Sequence, residues 1–406
     1  MDTGDTAWVL LSAALVMLMT PALGFFYGGL VRRKNVLATL MHSFFILALI
    51  SVQWVLWGYT LAFGPDHGGV IGGLDWFGFK GVGAEPSAYA PTIPHTAFAV
   101  YQCMFAVITP ALITGAFAER KRFKAFVVFS LAWATFVYAP IAHSVWAFDG
   151  WLRNYGALDF AGGTVVHISS GVSALVAAKV LGRRLGYGKE AMDPHNLTLT
   201  VLGAGLLWFG WFGFNAGSAL GANGLAANAF LVTNTAAAMG ALTWLTASWL
   251  RHGRPSVLGA AAGAVAGLVA ITPAAGYVDA SASIVIGLGA GVVCFFAVEL
   301  LRNRFGIDDA LDVFAVHGVG GIWGALATGL FAQKALNSGG ADGLFYGNPE
   351  QLLKHAVAVG AVVVYASAAS WVILKVIDLT IGLRVAEQDE VLGLDTSQHG
   401  EFGYQL

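Results

Sequence analysis

Charged side chains are scarce in this sequence: they make up 11% of the 406 residues, whereas hydrophobic residues make up 57%. Soluble domains carry roughly 25% charged residues, so this chain has too little charge to cover a surface that faces water. The sequence therefore predicts an integral membrane protein that has the lipid bilayer as its surroundings. The formal net charge of -2 gives no indication of nucleic-acid binding.

Cysteine is nearly absent. The only two, Cys103 and Cys294, fall inside apolar stretches, so the sequence encodes neither a disulfide framework nor a cysteine metal site. The zinc-protease pattern HExxH and the serine-hydrolase pattern GxSxG are also missing. We therefore expect neither an enzyme nor a cofactor.

No basic residue precedes the first apolar run, and the first basic cluster, residues 32–34, follows it. A signal peptide would begin with positive charge and have a shorter apolar core. This pattern predicts a first transmembrane helix that the mature protein keeps.

A helix crosses the hydrocarbon with about 20 apolar residues, and that length predicts an all-α protein with eleven transmembrane helices. The predicted spans are 6–31, 36–63, 95–118, 125–148, 161–182, 196–218, 225–250, 256–274, 280–301, 311–333 and 353–380.

Basic residues indicate how these spans are oriented. With the N-terminus outside, 17 of the 21 Lys and Arg residues fall on the cytoplasmic side, and only Lys80, Arg153, Lys334 and Lys354 fall outside. This asymmetry is what the positive-inside rule requires. An odd number of spans then places the C-terminus in the cytoplasm.

The chain divides into a membrane domain, residues 1–384, and a short tail, residues 385–406. The tail is charged, mostly acidic and too short to fold alone, so we expect it to lie on the cytoplasmic face. The longest outer connection, 64–94, is rich in Gly and Pro and too short for a domain.

Glycine is abundant within the predicted spans, with 53 residues in the whole chain. Gly259, Gly263 and Gly267 recur on one face of a helix, and Gly287, Gly289 and Gly291 crowd the next span. Small residues let helices approach closely in lipid. The pattern favours tight packing over ligand contact and predicts a rigid bundle, which suits a channel or narrow pore.

Two histidines, His167 and His317, lie within the fifth and tenth spans. Spans five apart cross the membrane in opposite directions, so two inverted five-helix halves, followed by a final helix, would bring both side chains to the bilayer centre. Each histidine has carboxylates upstream: Asp159 lies eight residues before His167, and Asp309 and Asp312 precede His317.

An ionisable residue within a membrane span is a candidate functional site. A lone histidine is as readily explained by a hydrogen bond to a neighbouring helix, but two at equivalent depths are less so. Two imidazoles in an apolar lumen suit a small hydrogen-bonding guest or a proton relay. They make an incomplete site for zinc or iron, because no carboxylate or thiolate lies at ligand spacing.

Several long segments together identify a family. They are FYGGLVRRKN (26–35), FAVITPALITGAFAER (105–120), YAPIAHSVW (138–146), LDFAGGTVVHISSG (158–171), WFGWFGFNAGSA (208–219), DVFAVHGVGGIWG (312–324) and the tail pattern GLRV, EVLGLD and HGE. In these segments the chain resembles the ammonium transporter family, the Amt branch of Amt/Rh proteins, over nearly its whole length. The resemblance implies an eleven-helix fold with the N-terminus outside, trimers with one pore per subunit, and a plasma-membrane location, the inner membrane in a cell with two.

The resemblance also implies roles for matching positions. Trp146, Ser218, Phe105 and Tyr101 correspond to an outer ammonium-recruitment site, although Tyr101 stands where some members have Phe. Phe105 and Phe214 correspond to a gate, and the pore positions are His167, His317, Trp211, Phe26 and Tyr27, with Thr272 beside them. Asp159 corresponds to a supporting carboxylate that does not itself contact the cation.

These positions imply that ammonium, or its analogue methylammonium, is captured outside, loses a proton and crosses as ammonia, with or without the proton. The tail resembles the segment through which PII-type signalling proteins block the pore. A neutral-solute channel of Rh or aquaporin character is disfavoured by Trp146 with Ser218 and by missing Asn-Pro-Ala pairs. A sensor without substantial flux stays open as an alternative.

Overall fold

The structure, a computed structural model, describes residues 1–404 and consists mainly of helices. Ten are long and apolar enough to cross a membrane, and an eleventh is shorter. In chain order they are α1 (Thr3–Leu30), α2 (Arg33–Phe63), α3 (His95–Phe117), α4 (Phe123–Tyr155), α5 (Gly163–Leu181), α6 (Leu197–Ala219), α7 (Gly224–His252), α8 (Val257–Ile271), α9 (Ala280–Phe305), α10 (Phe314–Phe331) and α11 (Pro349–Thr380). The chain is therefore a multi-pass membrane protein.

The shorter helix, α8, differs from the predicted span 256–274. It has 15 residues, which span about 22 Å at 1.5 Å per residue, less than the roughly 30 Å of a hydrocarbon core. Helix α8 ends two residues before Pro273, which has no backbone N–H to continue a helix. In the described residues ten helices are long enough to cross a membrane, and the remaining predicted span, 256–274, contains only the shorter helix α8.

The connection 64–94 contains two small antiparallel hairpins. Strands β1 (Asp66–His67) and β2 (Ile71–Gly72) form the first hairpin, with Asp66 opposite Gly72. Strands β3 (Pro86–Ser87) and β4 (Ala90–Pro94) form the second, with Pro86 opposite Pro94. Both hairpins lie at the end of the bundle where α4 ends.

Glycine packs helices together, as the sequence predicts. A Cβ atom on Gly263 or Gly267 would collide with the backbone of α7, at Gly240 and Ala236 respectively. A Cβ atom on Gly287 would also meet Ala236, so α8 and α9 both lie against the same stretch of α7. These glycines contact helix backbone, which is the packing role expected of small residues in membranes.

A buried network of ion pairs links four of the connections between helices at one end of the bundle. Glu119 accepts hydrogen bonds from Arg32 and Arg184, at 3.0 Å from each, and Arg184 also contacts Asp308 at 2.8 Å. Burial raises the pKa of Glu119, but the guanidinium groups of Arg184 and Arg32 hold that pKa below its usual value. The segments predicted to face the cytoplasm therefore meet at one end, called the basic end below.

The tail docks at this basic end. Its short helix α12 (Glu387–Leu392) places Glu390, which is 1% exposed, within 2.7 Å of Arg384. Asp395 accepts hydrogen bonds from the backbone N–H groups of Leu37 and Ala38, at the point where the opening 3-10 turn of α2, Arg33–Asn35, gives way to α-helix. A carboxylate at a helix N-terminus satisfies donors that the helix itself cannot pair.

Candidate functional site: an aromatic entrance and a histidine pair

Aromatic rings line the end of the bundle opposite the basic end. The indole of Trp146 lies edge-on to Phe105, with ring centroids 5.8 Å apart, and its Nε1 donates to the backbone oxygen of Asp159 at 2.9 Å. Tyr101 packs on the other side of Phe105, at 5.0 Å. Trp146 is only half-buried, so this aromatic surface is open to a solute arriving from outside the bundle.

The hydroxyl of Ser218 completes this surface. It donates to the backbone oxygen of Phe214 at 2.9 Å, one helical turn earlier. The Tyr101 hydroxyl lies 3.1 Å from Ser218 Oγ and also reaches the backbone oxygens of Gly213 and Phe214. Because its proton is engaged by Phe214, the Ser218 oxygen is left as an acceptor for an N–H donor.

Phe105 and Phe214 close the passage below this surface. Their ring centroids are 4.3 Å apart, and each side chain is 1% exposed. Phe105 comes from α3 and Phe214 from α6, so the two residues predicted as a gate meet between helices that are distant in sequence. Two buried rings in contact, inclined by 36° to each other, leave no path for a hydrated ion.

The two histidines meet directly below Phe214. The His167 ring lies 6.0 Å from Phe214 and 5.3 Å from His317, and all three rings are nearly parallel. The Nδ1 atoms of the two imidazoles are 3.3 Å apart. Nε2 of His167 is buried and has no hydrogen-bond partner among the described residues.

The hydrogen bond between the two Nδ1 atoms determines which hydrogen-bonding groups the histidine pair presents to a guest. One Nδ1 must donate and the other accept. In the neutral pair, the ring that donates through Nδ1 therefore has a lone pair on Nε2, and the ring that accepts through Nδ1 carries its only N–H on Nε2. The two rings therefore present one donor and one acceptor to a guest. This arrangement suits a small neutral molecule that both donates and accepts hydrogen bonds.

Close helix crossing brings the histidines together. A Cβ atom on Gly171 of α5 would collide with the backbone of Gly318 in α10, and one on Gly321 would lie 3.1 Å from the His167 Cβ. Both histidines lie in wide π-helical turns, Gly163–Ile168 and Phe314–Val319. Such turns are frequent at functional sites because they redirect side chains from regular helix positions.

Asp159 holds the start of α5 in place. Its carboxylate accepts from the backbone N–H groups of Gly162, Gly163 and Thr164 at 2.7, 2.6 and 2.7 Å, and from the hydroxyl of Thr164. The turn requires Gly162, which has a φ of 115°. The side chain of Asp159 is thus fully engaged by the helix, while its backbone oxygen orients Trp146.

The remaining predicted pore residues divide between wall and support. Trp211 packs 5.4 Å from His167, and its indole donates to the hydroxyl of Thr272 at 2.9 Å. Phe26 lies beside both histidines, at the inner side of the pair. Tyr27 lies further inward, where its hydroxyl donates to the backbone oxygen of Leu112 at 3.0 Å.

Two cavities follow one another along this line. A small one, of about 10 Å³, is bounded by Phe214, Trp211 and both histidines, and it is about the size that one water molecule requires. A larger one, of about 640 Å³, opens at the basic end and shares Phe26, Val265 and His317 with the first. The passage thus narrows at the histidine pair and widens beyond it.

Several residues that line the small cavity were not predicted from the sequence. Ile108, Leu112, Leu207 and Val265 line the small cavity, yet each is an aliphatic residue in an apolar helix. Nothing in the sequence distinguishes an aliphatic side chain that faces a lumen from one that faces a neighbouring helix. Only the helix rotations in the folded bundle identify them.

Comparison with known proteins gives a consistent result. The sequence model of the Ammonium Transporter Family matches residues 7–404. An ammonium transporter of Bacillus subtilis is 55% identical over 405 residues, covering 100% of this chain and 99% of that one.

Solved structures agree with this similarity. Mep2 of Candida albicans superposes with a TM-score of 0.91 at 38% identity, covering 100% of this chain and 91% of that one. A structure described as Sensor Amt Protein superposes with a TM-score of 0.89 at 29% identity, covering 98% of each chain.

Proposed function

The chain belongs to the ammonium transporter family, and from this premise we propose that it captures ammonium outside, deprotonates it and conducts ammonia past His167 and His317. The observation that carries the proposal is the buried imidazole pair, joined through Nδ1 at 3.3 Å and bordering a one-molecule cavity below a closed aromatic gate. Ammonia both donates and accepts hydrogen bonds, so it matches the donor and acceptor that this pair presents.

Capture begins at the outer aromatic surface. The face of a Trp ring attracts a cation within about 6 Å, worth roughly 0.5–2 kcal/mol as the site becomes desolvated. Trp146 with Phe105 and Tyr101 supplies this attraction, and the Ser218 oxygen accepts one N–H. Asp159 adds negative charge nearby, although its oxygens are engaged by α5.

Selectivity follows from the cost of moving charge. A bare ion at the bilayer centre costs between a few and more than ten kcal/mol, and the walls around the histidine pair are apolar and aromatic. Ammonium avoids that cost by giving up a proton to the water outside, above the gate, whereas potassium has no proton to lose. Passage is therefore restricted to a substrate that can become neutral.

Flux through vesicles tests this function. Replacing Trp146 with Leu should raise the half-saturating outer concentration of methylammonium by roughly two- to thirtyfold, the range given by a cation–π energy of about 0.5–2 kcal/mol. Methylammonium uptake into proteoliposomes, with potassium as the competing cation, measures this concentration. Trp151, exposed at the same end, supplies the matched control Trp151→Leu, which should leave it unchanged.

Two outcomes of this experiment oppose the proposal. Uptake of potassium at a rate similar to that of methylammonium would contradict selectivity by deprotonation. Saturable binding of methylammonium without flux would favour a sensor. The sensor alternative is supported by the docked tail and by the structural similarity to the Sensor Amt Protein.

We further propose the membrane arrangement that the resemblance implies: eleven spans with the N-terminus outside, residues 385–406 as a cytoplasmic regulatory tail, homotrimers, and location in the plasma membrane. The collection of basic residues at one end supports this orientation. The tail docks at the basic end, where the inner cavity also opens, and offers a surface for a PII-type signalling protein.

Truncation after Arg384 tests the role of the tail. We expect the truncated protein to lose binding of a PII-type protein by at least about tenfold, because the exposed face of α12 lies in the removed segment. Co-purification from membranes measures binding, and methylammonium uptake by the same sample reports whether the bundle is intact. Unchanged binding would remove the tail from the proposed interface.

A further inference from the structure

Three aspartates, Asp308, Asp309 and Asp312, lie in the connection between α9 and α10 at the basic end. Asp308 is paired with Arg184 at 2.8 Å, and Asp312 is paired with Arg302 through two contacts at 2.8 and 2.5 Å. Within residues 1–404, Asp309 forms no salt bridge. Of the three carboxylates, the one without a cation is Asp309.

Asp309 is also nearly enclosed where it borders the pathway on this side. It is 4% exposed, and both Asp309 and His317 line the inner cavity of about 640 Å³. Its Oδ2 accepts from the backbone N–H of Phe314 at 2.7 Å. In the described part of the chain no donor reaches Oδ1, which is fully buried by protein.

Asp159 and Asp309 occupy corresponding positions in the chain, but only Asp309 has an unpaired carboxylate oxygen. Asp159 and Asp309 each stand eight residues before a pore histidine, and each accepts from the N–H five residues later, at Thr164 and Phe314. Both oxygens of Asp159 are saturated by its helix. Asp309 has the same position relative to its histidine but keeps one oxygen unpaired, and an unpaired buried carboxylate oxygen is costly unless a ligand supplies the missing donor.

We propose that Asp309 forms a second ammonium-binding site at the inner mouth of the pore, where Oδ1 accepts an N–H from the cation. The inference rests on the proposed transport function and adds an inner site to the outer one at Trp146 and Ser218. The ligand class is a small monovalent cation with N–H donors. Arg184 and Arg302 already have carboxylate partners, whereas Arg120 donates only to backbone oxygens, one of them that of Asp308. Asp309 is therefore the carboxylate left for the cation to pair with.

Ionisation of Asp309 controls this site. Burial, together with the negative charge of Asp312, raises the pKa of Asp309 to about 7. The other groups that face it are Tyr27 from α1, Arg302 from the end of α9, and His317 from α10. Since the carboxylate must be ionised to hold a cation, the inner site strengthens as the cytoplasmic pH rises through about 7 and weakens below it.

Sided membrane vesicles test the inference. Inside-out vesicles present the inner mouth to added methylammonium, and right-side-out vesicles present the outer surface. Asp309→Asn should raise the half-saturating concentration at the inner side by roughly ten- to a hundredfold, the range expected for a lost charged hydrogen bond, and leave the outer value unchanged. The asparagine oxygen can still accept from Phe314, so the start of α10 stays capped.

The matched control is Asp193→Asn, which removes an exposed carboxylate from the wall of the same cavity. Asp193→Asn should change neither the inner nor the outer half-saturating concentration of methylammonium, whereas Trp146→Leu should change only the outer one. A structural defect would instead lower the maximal flux in both directions without raising one half-saturating concentration alone. The inference would be overturned if the half-saturating concentration at the inner side were the same in Asp309→Asn and in the unmodified protein.

The unmodified protein gives a test that needs no variant. Its inner half-saturating concentration should fall roughly tenfold as the inner pH rises from about 6 to about 8, because the ionised fraction of a group with pKa of about 7 rises by that factor. A flat dependence would refute the inner site even if Asp309→Asn failed to fold. Absence of saturable flux in either direction would instead refute the proposed function.

Discussion

Replacing His167 with Ala is expected to abolish selective transport. The change removes the partner of His317 Nδ1, leaves that atom unpaired and deletes half of the hydrogen-bonding surface that faces the small cavity. An unsatisfied buried polar group costs about 1–3 kcal/mol, so methylammonium flux relative to potassium flux should fall by roughly five- to a hundredfold. His317→Ala should have the same effect, because the pair presents one donor and one acceptor only when both imidazoles are present.

A matched histidine separates pore chemistry from general damage. His42 is also buried, but it packs against Phe117 and Phe126 away from the two cavities. His42→Ala should leave the ratio of methylammonium to potassium flux unchanged, whatever it does to the amount of folded protein. Potassium exclusion that survives in both His167→Ala and His317→Ala would refute the role proposed for the pair.

Replacing Asp159 with Ala is expected to cause the largest loss of stability. Five hydrogen bonds to its carboxylate, four from backbone N–H groups and one from the Thr164 hydroxyl, are buried at the start of α5. Without the carboxylate these donors have no partner, and at about 1–3 kcal/mol for each unsatisfied group the loss amounts to several kcal/mol. Thermal unfolding of the purified protein in detergent measures it.

Asp279 provides the comparison, because it also caps a helix but is partly exposed. It accepts from Ala282 N at 2.8 Å and from the side chain of Gln333 at 3.0 Å. Losing a single cap costs typically about 1 kcal/mol, so Asp279→Ala should lower the unfolding temperature much less than Asp159→Ala. Equal shifts would mean that water reaches the start of α5 and satisfies its donors.

The membrane class and the approximate positions of the helices could be read from the sequence. Scarce charge and long apolar runs require a lipid environment, and the spacing of Gly263 and Gly267 predicted that they pack closely against another helix, which the structure identifies as α7. The length of α8 could not be read, because the apolar stretch continues past the point where Pro273 interrupts the helix. Hydropathy does not report where a backbone stops being helical.

For the site, composition singled out His167 and His317 because an ionisable residue within an apolar span is rare and costly. Phe105, Phe214 and Trp146 carry no such signal, since aromatic residues abound in membrane helices. They were identified only through the resemblance to a family. The distances between their rings follow from the crossing of α3, α4 and α6, which a single sequence does not specify.

The sequence by itself determined that this protein lies in a membrane, which loops carry positive charge and where two costly imidazoles sit. Each of those properties is local, since it depends on the polarity of short segments. The tertiary structure alone decided which polar groups find partners. Asp159 and Asp309 look alike in sequence, but only the folded bundle saturates both oxygens of one and leaves an oxygen of the other without a donor. The reason is that hydrogen-bond partners are supplied by neighbours in space.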